Sequence, residues 1–172
     1  NNSFILYTDG KEAFEALLRE ISKATKNIYI STYVFKNDEV TNRLLAELTK
    51  KAKLGVVIKL LIDSIGSYDV YFIQNIFNNL RKAGAHVCFF MPMIQIPFRN
   101  HINFRNHRKI YLFDEKIVFT GGMNLGKEYM GNIPSQERWS DLLFSIKGDA
   151  IYHFHDIFSS DWQYSSKEKI AP

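Results

Sequence analysis

The chain of 172 residues is short of most of the features that would place it in a specialised class. It has one cysteine, Cys88, so no intramolecular disulfide can staple it, and that residue sits in the apolar run Val87-Cys88-Phe89-Phe90, where it reads as a small core side chain in a reducing compartment. No stretch approaches the roughly 18–20 apolar residues of a membrane span, and no charged segment followed by an apolar one opens the chain, which therefore reads as a soluble domain. Internal repeats, glycine-serine linkers and low-complexity tracts are missing, and disorder, collagen and low-complexity scaffolds are excluded. What is present is core material: 46% hydrophobic residues against 23% charged, with 14 Phe and 9 Tyr. At roughly 100–200 residues per domain, this length predicts a single domain over 1–172. The net charge of +4 from 22 Lys+Arg and 18 Asp+Glu is too small to name a partner, so its placement matters more than its size.

The hydrophobic period switches repeatedly in the first half. Phe4 to Tyr7 reads as a strand, and Phe14, Leu17, Leu18 and Ile21 then recur at helical spacing. Asn27 to Phe35 is β-branched and aromatic; Asp38 caps a helix bearing Val40, Leu44, Leu45 and Leu48, which Gly55 ends. Val56 to Ile62 is almost continuously apolar, as a strand covered on both faces must be, and Val70 to Leu80 returns to helical spacing before Gly84 and a strand over 87–90. Three such alternations predict an α/β layered fold. The texture then changes. Met91 to Phe98 carries two prolines and reads as an irregular loop, and strands over 109–113, 117–120 and 142–146 form a meander whose first turn is Asp114-Glu115-Lys116. A helix over about 149–162 places Ile151, Phe154, Phe158 and Trp162 on one stripe, followed by a fraying tail over 165–172.

Residues 99–109 hold Arg99, His101, Arg105, His107, Arg108 and Lys109 and no acidic residue. A basic surface strip would also account for the charge, but His107 and Lys109 are two apart, so in a strand both side chains leave one face. A neutral imidazole beside a fixed cation suits attack on electrophilic phosphorus, with the ammonium neutralising phosphate oxygens as charge accumulates. Downstream, Gly121-Gly122-Met123-Asn124 follows a strand and offers backbone N–H groups and an amide to the same phosphate; alone, the glycine pair would be read as a turn.

Taken together, His107-x-Lys109-x-x-x-x-Asp114 and, after six intervening residues, Gly121-Gly-x-Asn124 resemble the phospholipase D superfamily signature. More narrowly, Asn106 to Ile110, Phe119 to Tyr129 and Trp139-Ser-Asp141 resemble bacterial cardiolipin synthases, as do Asp9-Gly10, Thr32 to Phe35 with Asp38, and Asp63 with Gly66-Ser67. Gly122, where the wider superfamily usually has Ser, is typical of that branch; Leu142-Leu-Phe after Asp141, where the branch usually has Thr-His, is a departure.

The resemblance implies a phospholipase D-like layered sandwich, a central mixed β-sheet flanked by helices, and phosphatidyl transfer between glycerophospholipids through a phosphohistidine. It implies His107 as nucleophile or as the histidine that protonates the leaving alcohol, Lys109, Gly122 and Asn124 as phosphate-binding residues, and neither metal nor other cofactor. His153-x-His155, two apart on a helix, diverge too far for a ligand pair. Asp114 belongs to the catalytic signature, but its place at a turn favours a structural role, bonding N–H groups of the Glu115-Lys116 turn. Asp141 is the better candidate for orienting the imidazole, ahead of Glu128 and Glu137. Enzymes of this branch carry two such motifs, whereas His86, His101, His153 and His155 have no Lys two residues later. The expected partner is therefore a second motif in cis or an identical chain in a homodimer. The apolar loop over 91–98 beside Arg99 and Arg105 suits a membrane surface with anionic headgroups, or the interface with the second half. The implied location is the bacterial cell membrane, peripheral or tethered by a segment outside this chain. The competing readings are a dimeric single-motif phosphodiesterase acting on nucleic acid, and a scaffold that keeps the fold for protein association, which intact His107, Lys109 and Asn124 argue against.

Overall fold

The computed structural model describes residues 1–92, 105–132 and 138–170. Seven strands form one mixed sheet flanked by helices, in the order β1-β7-β6-β5-β2-β3-β4. Strands β2 (Asn27–Thr32), β3 (Val57–Asp63) and β4 (His86–Phe90) are parallel neighbours joined by helical crossovers. Strands β5 (Ile110–Phe113), β6 (Ile117–Gly121) and β7 (Leu143–Gly148) are the antiparallel meander, and β1 (Asn2–Tyr7) pairs antiparallel with β7 at the far edge.

The sheet is covered on both sides, which is why its central strands show little alternation of polarity. Strand parity divides the core: Ile28, Ile30, Leu60, Ile62, Tyr111 and Phe113 pack beneath α1 (Gly10–Lys23) and α2 (Glu39–Lys53). Their neighbours Tyr29, Leu61, Ile110 and Leu112 pack against Ile151, Phe158 and Trp162 of α5 (Ala150–Ser166) on the other side. Asp9 caps α1 by accepting from Lys11 and Glu12 N–H at 2.9 Å, and Asp38 forms a reciprocal capping box with Thr41 on α2. The second Asp38 oxygen accepts from Lys127 N–H at 2.8 Å, so this cap also anchors the segment after β6.

Two expected elements differ. The helical spacing over 70–80 resolves into α3 (Tyr68–Phe72), a 3-10 turn (Gln74–Phe77) and α4 (Asn78–Lys82), because Ile73 leaves helical geometry at φ −104°, ψ 62°. Asn75, Asn78 and Asn79 also supply weak helix propensity there. The tail does not fray as far as Ile170: Glu168 lies 3.7 Å from Lys59 Nζ and 3.9 Å from His86 Nδ1, and Ile170 packs against the α5 core. No helix of the described residues is long and apolar enough to cross a membrane.

Candidate active site

Sheet topology gathers the chemistry at one end. β2 and β3 run parallel and finish there, with Tyr33 following the first and Asp63 closing the second. β5 runs the opposite way, so the segment 105–109 that precedes it enters at the same end. β6 exits there into Gly121 to Leu125, and the residues leading into β7 return there. Ligand sites at the carboxyl ends of parallel strands are a general consequence of such layering.

The segment before β5 is pinned at several points. The buried Asp63 carboxylate accepts from Ile65 and Gly66 N–H with one oxygen and from Asn106 N–H at 3.3 Å with the other. Asp161 of α5 accepts from the Asn106 side-chain amide and from the Arg108 guanidinium, both at 2.8 Å. Held between these anchors, His107 is exposed and Lys109 is buried at 8% exposure. Neither lies within β5, which begins at Ile110, so the shared strand face expected for the pair is not what brings them together. They meet on Tyr33 instead: the His107 imidazole stacks on its ring at 3.7 Å, and Lys109 Nζ lies 5.7 Å from the same ring while donating to the His107 carbonyl at 2.9 Å. Burial lowers the Lys109 pKa, and the negative charge of Asp141 opposes that fall.

Asn124 is buried, and its Oδ1 accepts from Val34 N–H at 3.0 Å. That bond fixes the amide orientation, since only the oxygen can accept, and leaves the NH2 group without a partner among the described residues. Backbone bonds of Leu125 N–H to Val34 and of Lys36 N–H to Leu125 hold the segment in place.

Three expected roles take a different form. Gly122 was expected to offer its N–H to phosphate, but that group donates to the Leu142 carbonyl at 2.8 Å. The Asp141 carboxylate occupies the space a Cβ at Gly122 would take, so a larger residue there would require that side chain to move. Asp141 was expected on the imidazole; its Oδ1 accepts from Leu142 N–H at 2.7 Å, its charge acts on Lys109, and it makes no hydrogen bond to His107 among the described residues. Asp114 lies at the opposite end of β5 from His107, and its carboxylate accepts not from the Glu115-Lys116 turn but from the N–H groups of Thr25, Lys26 and Asn27 and the Thr25 hydroxyl. Of the runners-up for orienting the imidazole, Glu128 uses its carbonyl to accept from Trp139 N–H at 2.7 Å, and Glu137 lies outside the described residues. So do Arg99, His101 and residues 93–98 of the apolar loop.

Sequence reasoning passed over Tyr33, Asn106 and Asp161 as site residues. Tyr33 had a signal, its position just past a parallel strand; Asp161 had none, because only packing of α5 brings it to Asn106 and Arg108.

Residues 17–162 match the family model described as "Cardiolipin synthase, PLD-like domain". The chain is 40% identical over 169 residues to a cardiolipin synthase of Clostridium perfringens, covering 98% of this chain and 35% of that protein. It is 37% identical over 166 residues to the major cardiolipin synthase of Bacillus subtilis, covering 96% and 34%. It thus spans about a third of the length of these relatives. Two solved structures share the fold at 18% identity: NucT from Helicobacter pylori, at TM-score 0.70 over 96% of this chain and 97% of that one, and the phospholipase D family member Nuc from Salmonella typhimurium, at 0.68 over 100% and 99%. With the sheet order, the clustered His107, Lys109 and Asn124 and these matches in hand, the chain belongs to the cardiolipin synthase family as a phospholipase D-like domain.

Proposed function

We propose that this chain is a single phospholipase D-like module that contributes one half of the active site of a phosphatidyltransferase acting on glycerophospholipids at the surface of a bacterial membrane. The observation that carries the reading is the trio at one sheet end: an exposed imidazole, a buried ammonium beside it, and an amide NH2 group with no partner among the described residues.

In the proposed cycle an imidazole nitrogen of His107 attacks the lipid phosphorus while the bond from phosphorus to the leaving alcohol oxygen breaks. That oxygen takes its proton from a second histidine, supplied by another motif in cis or by an identical chain. The acceptor alcohol then gives its proton to that second histidine and attacks phosphorus, breaking the P–N bond and returning His107. Lys109 and the Asn124 NH2 group carry the non-bridging oxygens, whose charge grows in both transition states. Asp141 supports Lys109 by keeping the ammonium charged against its burial.

Nucleic acid is the competing substrate. The strip that suggested it is partly neutralised here, because Arg108 is committed to Asp161 at 2.8 Å. A p-nitrophenyl phosphodiester tests the half-site chemistry directly, since its phenolate leaves without a general acid. The chain should release one equivalent per active site and retain phosphate on His107, and His107→Ala should show neither. Turnover of single-stranded DNA without transfer from a labelled glycerophospholipid would replace the lipid reading with the nuclease one.

A further inference from the structure

We infer that Tyr33 is a positioning residue for the nucleophile, a fixed aromatic platform that sets the plane of the His107 ring; the inference rests on the proposed role of His107. Among the described residues the imidazole makes no hydrogen bond, and none of them places a carboxylate or carbonyl on a ring nitrogen to set its orientation. What it has is a face. The two rings lie 3.7 Å apart between centroids with 21° between their planes, close enough that the imidazole cannot rotate about its χ2 bond without striking the phenol. Stacking leaves both nitrogens free at the ring edge, where a lone pair must point to reach phosphorus.

The platform is itself braced. On its side the ring meets Gly66, where a Cβ would come within 2.9 Å of Cδ2 and Cε2 and collide with the Tyr33 carbonyl. That carbonyl accepts from the Ser67 hydroxyl at 2.9 Å, while the same hydroxyl oxygen accepts from Phe35 N–H at 2.8 Å. Gly66 N–H is in turn held by Asp63, whose other oxygen holds Asn106 N–H beside His107. One buried carboxylate therefore sets both the glycine that admits the Tyr33 ring and the segment that carries the imidazole onto it. Lys109 lies over the same ring, so the platform fixes nucleophile and cation relative to each other. The Tyr33 hydroxyl has no hydrogen-bond partner among the described residues, which points to the ring alone as the working part.

The test compares Tyr33→Phe and Tyr33→Leu with the unaltered protein. The His107 ring protons should resonate upfield, shifted by the ring current of Tyr33; Phe should preserve that shift and Leu should abolish it. With the p-nitrophenyl phosphodiester, Tyr33→Leu should lower the rate of phosphorylation by about 10²-fold at saturating substrate, as expected for a misaimed reacting group, with KM nearly unchanged, and Tyr33→Phe should restore it. Circular dichroism that matches among the three proteins separates this loss from misfolding. Unshifted His107 protons in the unaltered protein, or a normal rate in a folded Tyr33→Leu, overturns the inference. Normal activity of His107→Ala would overturn the parent reading instead, and the ring-proton shift would still report whether the platform exists.

Discussion

The two ends of β5 hold polar clusters of opposite character. At one end Asp114 accepts from three backbone N–H groups and a hydroxyl, at 2.7 to 3.1 Å, and its acceptor capacity is filled. At the other, among the described residues, the His107 imidazole and the Asn124 NH2 group lack hydrogen-bond partners and the ammonium of the buried Lys109 has a single hydrogen bond, to a carbonyl. Both clusters fall within one sequence signature, yet one reads as a joint between α1, β2 and β5 and the other as a place kept open for an anion. A satisfied cluster stabilises the fold; an unsatisfied one is tolerated where a ligand completes it.

Substitutions should separate the two ends. Lys109→Met keeps the buried stem and deletes the charge, and should cut phosphorylation of His107 by about 10³-fold with little change in thermal midpoint, measured with the p-nitrophenyl phosphodiester. Asn124→Asp keeps the Oδ1 that accepts from Val34 but replaces the NH2 donor with an anion; a loss of about 10²-fold with an intact fold is expected, and full activity would remove Asn124 from the phosphate site. Asp114→Ala should reverse the pattern, costing about 2 kcal/mol in denaturant unfolding with near-normal phosphorylation of His107 per folded molecule. Asp161→Ala, which frees Asn106 and Arg108 at the edge of the site, should cost about 1 kcal/mol and lower the rate of His107 phosphorylation only modestly.

The Asp114 end also carries a pH signature. Burial pushes its carboxyl pKa up, but the N–H groups of Lys26, Thr25 and Asn27 outweigh burial and hold it below the ordinary value of 3.8. A carboxyl depressed in the folded state adds stability above its unfolded pKa, and that stability is lost as pH falls through the folded value. Acid unfolding of the unaltered protein should therefore steepen below about pH 3.8, and Asp114→Ala should be flatter in that window.

Much of the fold could be read along the chain because its strands and helices differ in period and carry explicit caps. Asp38 does cap the helix that its position suggested, and Asp9 caps α1, which the sequence reading did not anticipate. The helix over 70–80 was misread because apolar spacing alone does not register the break at Ile73. Within the site, residue types were legible but bonding was not. The family resemblance names Gly122 and Asp141 without revealing that the Gly122 N–H is committed to Leu142 or that the carboxylate rests where a Cβ would be.

By itself the sequence determined the alternating α/β plan, the two-sided burial of its central strands, and the imidazole, ammonium and amide that mark its family. Those follow from local period and residue chemistry. Tertiary structure alone decided that β1 crosses to the edge beside β7, that Asp114 secures the far end of β5, and that the His107 ring lies on Tyr33, 74 positions away in sequence. Such pairings depend on which strand ends share an edge of the sheet, and no local pattern of side chains encodes that distance.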